Sequence, residues 1–258
     1  MTTWTKYLDH PELPPVPELL PALSEALRSP DPVLRDDQAY TLFARWIPVL
    51  PLELLRPLGD EMAARLADSE IQARSFAPLV LAKLVRRGVY APDWQAAFAR
   101  WYPAETDLRG YHAHLGWLHA VAHGADLLGE LGRCPEVDPF SMLELAAARL
   151  LAPTGHLFDA MEDDRLGAAI ALTLTRPELT ERQCSDWLVP IAADFEAGEP
   201  GPVPAYASNT MRTLRVVHLL ADRGVRQSDG GPVLQLPRAA AVKAAVAGVL
   251  ATCAPYQG

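Results

Sequence analysis

The spacing of proline constrains this chain more than any other feature. Proline makes up 24 of the 258 residues, about twice the usual share of roughly 5%, and it falls between apolar-periodic segments of helical length. A residue with no N–H, whose ring clashes with the preceding turn, is tolerated where helices begin and end. The intervening segments are rich in Ala, Leu, Arg and Glu and lack alternating β-branched runs, so their period is helical. The pattern predicts helices over 16–28, 32–47, 51–67, 70–87, 92–101, 110–132, 138–151, 161–175, 180–195, 206–224 and 236–252, and no strand. About eleven helices on short connections pack as antiparallel neighbours. The expected fold is all-α, with stacked helix hairpins forming a HEAT-like α-solenoid or a right-handed α-superhelix and no sheet.

Two segments suggest a repeat. Asp31-Pro-Val-Leu-Arg35, followed by Ala39 and Leu42, and Asp68-Ser-Glu-Ile-Gln-Ala-Arg74, followed by Ala77 and Leu81, have the composition of second-helix openings in HEAT repeats. Arg35 and Arg74 stand 39 positions apart, close to a repeat length of roughly 40 residues. Pro11, Pro14, Pro15, Pro17 and Pro21 mark an extended lead-in over 1–15 that runs into the first helix. Gly198, Pro200, Gly201, Pro202 and Pro204 form one loop, and Ser228-Asp-Gly-Gly-Pro232 another. Composition shifts at neither loop, so a single domain over 1–258 is expected, with its motif-bearing centre at 105–132.

Charge and cysteine usage narrow the partners. With 23 basic against 32 acidic residues the formal charge is −9, the reverse of the basic footprint that nucleic-acid binding needs. Cys134, Cys184 and Cys253 are odd in number, far apart and without a CxxC pair, which indicates neither a disulfide framework nor a thiolate zinc site. No apolar run near the start has the length of a signal peptide or a membrane span. The expectation is a cytoplasmic protein that engages a small molecule or another protein, with no nucleic acid and no membrane.

The chemistry concentrates between Asp107 and Glu130. On a helix through this segment, His112, Gly116, His119, His123, Asp126 and Glu130 fall within roughly 40° of one line. Leu115, Trp117, Leu118, Val121, Ala122, Ala125, Leu127 and Leu128 cover the rest, with only His114 breaking it. Such a strip is a solvated face, a buried hydrogen-bonded strut, or a site. As a site, His119 and His123 at i, i+4 and Asp126 three residues on form a two-histidine, one-carboxylate set for a divalent transition metal such as zinc. Ala120 stands where HExxH would place its general base, so the match to that motif fails.

Other segments supply partners for such a site. Glu162 and Asp163, with Asp164, open a helix, where acids also serve the helix dipole; they are the candidate general bases. Asn209, Arg212, Arg215 and His218 share one helical stripe, either a surface face or a source of an arginine, Arg215, for a buried carboxylate such as Asp126 or for an anionic ligand. His156 and Asp159 lie three apart beside a Gly-Pro loop and, without a third partner, read as a helix end. The tryptophans recur at helical spacing and read as core. No GxSxG elbow, phosphate-binding glycine loop or haem attachment motif is present.

Asp107-Leu-Arg-Gly and Gly116-Trp-Leu-His-Ala-Val-Ala-His-Gly-Ala-Asp126-Leu-Leu resemble the bacterial family known as domain of unknown function 2785. Glu162-Asp163 with Arg165, and Asn209 with Leu214-Arg215, are similar to that family's later motifs, so the likeness runs from about 60 to 222. After Arg215 the chain departs, reading Val-Val-His where the family pattern has an aromatic-containing stretch. The resemblance implies an all-helical, HEAT-like bacterial protein and no particular reaction. It groups Asp107, Arg109, Trp117, His119, His123, Asp126, Glu162, Asp163, Arg165, Asn209 and Arg215, which would line one pocket if they converged.

Three functions are compatible with these residues. The first is a helical-repeat protein that binds a small molecule or protein in a groove lined by the His/Asp/Arg cluster. A second is a metal-assisted hydrolase in which His119, His123 and Asp126 hold the ion while Glu162 or Asp163 activates water. A metal-free variant of the enzyme would use a histidine for proton transfer and Arg109 or Arg215 as anion clamp. The third is a scaffold with an internal polar strut.

Overall fold

A computed structural model gives the structure of the protein and describes residues 4–199 and 201–253. The chain is mostly helical, and it divides into two compact units. The first comprises Met1–Trp101 and Asp107–Leu127, the second Tyr102–Thr106 and Leu128–Gly258.

In the first unit a short helix, α1 (Thr5–Asp9), precedes a 3-10 turn (Pro17–Leu19) and α2 (Leu20–Ala26). The lead-in over 1–15 is therefore not extended throughout its described part. Trp4 and Tyr7 are both buried, and the Tyr7 ring meets Trp46 edge to face, which supplies the apolar anchorage a five-residue helix lacks by itself. A π-helical stretch (Val33–Tyr40) leads into α3 (Thr41–Trp46), and α4 (Leu52–Arg65), α5 (Ile71–Arg86) and α6 (Pro92–Trp101) follow. Pro57 and Pro78 lie inside α4 and α5, exceptions to proline as a boundary that the packed environment tolerates. α5 is central to its unit. From Ile71 to Val85 nearly every side chain is buried, as expected of a helix apolar around most of its girth.

The main departure from the expected pattern is at 110–119, where the chain forms a hairpin and not a helix. β1 (Tyr111–His112) pairs antiparallel with β2 (Gly116–Trp117), Tyr111 opposite Trp117. Helix α7 begins only at Ala120 and runs to Arg133; residues 120–127 belong to the first unit and 128–133 to the second. Gly116 holds φ at +68°, and a Cβ there would stand 2.6 Å from Cβ of Pro32, so both the backbone and the space require glycine.

The second unit contains α8 (Pro139–Leu151), α9 (Glu162–Thr173), α10 (Gln183–Asp186), α11 (Val189–Glu196), α12 (Ala205–Arg223) and α13 (Ala239–Ala251). α8 starts as its sequence dictates: the Asp138 carboxylate accepts from the Phe140 N–H at 3.1 Å, with Pro139 in the first turn. The helix expected over 180–195 is two pieces, because Pro190 sits where only a new first turn accommodates it. A second hairpin, β3 (Val225–Arg226) with β4 (Val233–Leu234), follows Gly224 at φ +82°. It spans the glycine-rich turn at Ser228-Asp-Gly-Gly. Two small sheets thus replace the expected absence of strands. Pro200, in the other proline-glycine loop, lies outside the described residues. α9 and α12 pack closely in this unit, with Gly167 against Val216. Buried Arg149 donates from Nη1 to the carbonyls of Tyr102 and Glu105, each at 2.9 Å, and desolvation holds its pKa below the usual arginine value.

Candidate functional site

In the first unit the site is built upward from Arg35. This side chain is fully buried at 0% exposure. Its Nη1 donates to the Ser29 carbonyl at 3.0 Å, and its Nη2 donates to the carbonyls of Leu115 at 2.6 Å and Trp117 at 3.1 Å. Nε lies 2.7 Å from the Asp36 carboxylate. In a helix the Leu115 and Trp117 carbonyls would accept from backbone N–H groups four residues on; here a guanidinium from the π-helical stretch takes them and holds the hairpin end in place. Burial pushes the Asp36 carboxyl above the ordinary aspartate range, with Arg35 opposing.

A run of rings in contact extends from this arginine to the surface. The Arg35 guanidinium lies 4.7 Å over the Phe76 ring, whose edge-to-face partner at 5.0 Å is His123. His119 follows at 5.7 Å and stacks on Trp117 at 4.5 Å with planes 26° apart; Tyr111 meets Trp117 at 5.1 Å. His123 is buried, and its Nδ1 lies 3.0 Å from the Ser75 carbonyl. A carbonyl only accepts, so this nitrogen carries a proton and the ring orientation is set. His119 precedes α7 with φ of +46°, a left-handed backbone uncommon for a residue with a side chain, and its carbonyl accepts from the His123 N–H at 2.9 Å.

The outer end is open to solvent. Trp117 is 44% exposed and Tyr111 61%, whereas Trp4, Trp46, Trp94, Trp101 and Trp187 are all buried. Beside the hairpin Arg109 grips Asp107 with two bonds, Nε to Oδ1 at 2.8 Å and Nη2 to Oδ2 at 2.6 Å. The guanidinium holds the Asp107 carboxyl below its usual range. With its charge spent on Asp107, Arg109 is poorly placed as the anion clamp a metal-free enzyme would need. Asp126 is half-buried on α7. His112 and Gly116 lie on the hairpin, so the six-residue helical line expected from His112 to Glu130 does not form.

The remaining sequence candidates belong to the second unit. Glu162 and Asp163 are buried in the first turn of α9, and Arg165 is exposed. Arg212, not Arg215, makes the ion pair on this stripe, with Nε 2.7 Å from the Asp163 carboxylate; Arg215 is exposed. Asn209 is buried at 1% exposure and clamps the loop before α9, accepting from the Phe158 N–H and donating to the His156 carbonyl, both at 2.9 Å. Among the described residues, the three His, Cys, Asp or Glu ligand groups that gather within 4.8 Å are His156, Asp159 and Glu162. From sequence, Arg35 reads as a repeat-opening residue and not as part of a site, and Glu162 reads as a general base and not as the third partner of His156 and Asp159. Three-residue steps from His156 to Asp159 to Glu162 were the available signal for the second.

The family model described as "Protein of unknown function (DUF2785)" matches residues 62–219, well over half of the chain. The chain belongs to the DUF2785 family. No curated protein and no solved structure matches it. The DUF2785 match takes in the ring run from Phe76 to Trp117, the Asp107–Arg109 pair, the His156–Glu162 loop and Asn209. Arg35, which braces the DUF2785 hairpin from below, lies outside it.

Proposed function

We propose that the protein is a binding module that takes a small molecule carrying a flat, uncharged ring on the surface formed by Trp117, Tyr111 and His119. One observation carries this reading: among the described residues the only exposed tryptophan is also the one stacked on a histidine and tied through its own carbonyl to a buried arginine. Fully burying an aromatic side chain removes about 150–250 Å² from water, so a ligand that covers Trp117 would gain apolar area that the fold leaves exposed. The rings already repeat at about the separation a further aromatic ring would adopt, and the rim charge is neutralised within the Asp107–Arg109 pair. An uncharged ring with a hydrogen-bonding substituent fits both.

A HEAT-type repeat, a groove lined by the His/Asp/Arg cluster and a bacterial cytoplasmic setting belong to the same reading. The close packing of α4 on α5 supports the first, and three free cysteines support the reducing compartment. A hydrolase with a divalent ion on His119, His123 and Asp126 gains less support, since those three are not among the described ligand groups that gather within 4.8 Å of one another.

Thermal melting with adenosine, nicotinamide, indole and 4-hydroxybenzamide as probes tests the proposal. At least one probe is expected to raise the melting temperature of the wild type by several degrees. Trp117→Ala is expected to melt within a degree or two of wild type and to respond to none. An absent response in the wild type, or an equal one in the variant, would refute the site.

A further inference from the structure

The loop before α9 carries chemistry that the ring surface does not use. It has the makings of a metal centre: the ligand atoms of His156, Asp159 and Glu162 lie within 4.8 Å of one another, one nitrogen and two carboxylate donors. The loop is held by several side-chain bonds to its backbone. Thr154 Oγ1 accepts from the His156 N–H at 2.9 Å, and the Glu162 carboxylate accepts from the Ala160 N–H at 2.9 Å. Buried Asn209 takes the backbone on both sides of Leu157, and the Phe158 side chain is buried at 2% exposure. Met161 at φ +66° turns the chain so that Glu162 begins α9.

The histidine supplies an independent observation. Its Nε2 is removed from solvent and has no hydrogen-bond partner among the described residues, and a buried polar atom left without a partner costs about 1–3 kcal/mol. Asp163, the next acid in sequence, pairs with Arg212 at 2.7 Å and is not one of the gathered ligand groups. Asp159 is exposed, giving the cluster an open side toward solvent and a side chain free to rotate inward.

From these observations we propose that His156, Asp159 and Glu162 form a binding site for a divalent transition-metal ion. One imidazole with two carboxylates suits Zn²⁺, Co²⁺ or Mn²⁺ better than the all-oxygen shells of Ca²⁺ and Mg²⁺. Three protein ligands leave at least one coordination position for water. Ligand spacing in a tetrahedral site is roughly 3.3 Å for bonds near 2.0 Å, so the ion draws the three groups closer, with Asp159 moving most. Asn209, whose side-chain amide bonds to backbone, positions the loop by holding the His156 and Phe158 backbones.

The test is titration of the metal-free full-length chain with Co²⁺, followed by visible absorption, with competition by Zn²⁺ and melting in parallel. The expected result is one Co²⁺ bound per chain, displaced by Zn²⁺, with a rise in melting temperature on Zn²⁺ addition. Asp159→Asn and His156→Ala are each expected to weaken Co²⁺ at least about tenfold. Asp159 lies off the core, so Asp159→Asn decides the matter even where His156→Ala does not fold. Failure of the wild type to bind Co²⁺ or Zn²⁺, or affinity unchanged in Asp159→Asn, overturns the site. Neither result bears on ring binding at Trp117, which is read with organic probes.

Discussion

At the scale of single residues, burial decides what each side chain can do. Cys134 is 7% exposed, and desolvation, reinforced by the bond from its Sγ to the Glu136 carboxylate, pushes its thiol up to about 11. Burial also raises Cys184, while Cys253 is exposed. A thiol that stays protonated is a poor nucleophile. We therefore expect Ellman's reagent at pH 8 to label Cys253 alone in the native protein and all three cysteines after unfolding; rapid native labelling of Cys134 would contradict its environment. The sign of the linked stability follows. The unfolded chain ionises Cys134 first, near the ordinary thiol value of 9.0, so its contribution is intact below about pH 9 and is lost as pH rises toward 11. The tryptophans divide in the same way. Trp46, Trp94 and Trp101 are core residues, as their helical spacing indicated, whereas Trp117 faces solvent. Composition treats all of them alike, and only the backbone at 116–119 separates them.

At the scale of elements, the hairpin shows local propensity yielding to a distant partner. Leu115 is 80 positions from Arg35, yet its carbonyl binds that guanidinium, and the bond is available only when the 110–119 backbone is not helical. Two substitutions test the dependence. Arg35→Ala leaves Asp36 half-buried without its cation and the Leu115 and Trp117 carbonyls without this donor, and is expected to destabilise by about 3 kcal/mol or more. Gly116→Ala meets both the positive φ and the contact with Pro32, and is expected to cost about 1–3 kcal/mol. Urea unfolding measures both. In each variant Trp117 should become more accessible to acrylamide quenching than in the wild type, and unaltered quenching would mean that the brace does not hold the indole. Elsewhere the elements follow their sequences closely. α6 occupies the expected 92–101, α8 starts at its Asp138 cap, and α12 fills all but the last residue of 206–224.

At the scale of the whole molecule, the formal charge of −9 opposes association with polyanions at long range. The protein is expected to pass through a heparin column at pH 7 and low salt; retention would require a local basic surface strong enough to override that field. No described helix is long and apolar enough to cross a membrane. From the sequence by itself came the helical class, most helix limits, the absence of a basic footprint and the family. Each of these depends on periodicity, capping, proline placement or summed charge, all of which are local or additive along the chain. The hairpin at 111–117, the exposure of Trp117, the choice of Arg212 over Arg215 for Asp163 and the gathering of Glu162 with His156 were decided by tertiary structure. In the first two, Arg35 and Pro32 meet a segment some eighty residues away. In the last two, α12 packs on α9 and on the loop before it, and which of several like residues meets a carboxylate or shares a cluster is set by that packing and not by the spacing of residue types along one helix.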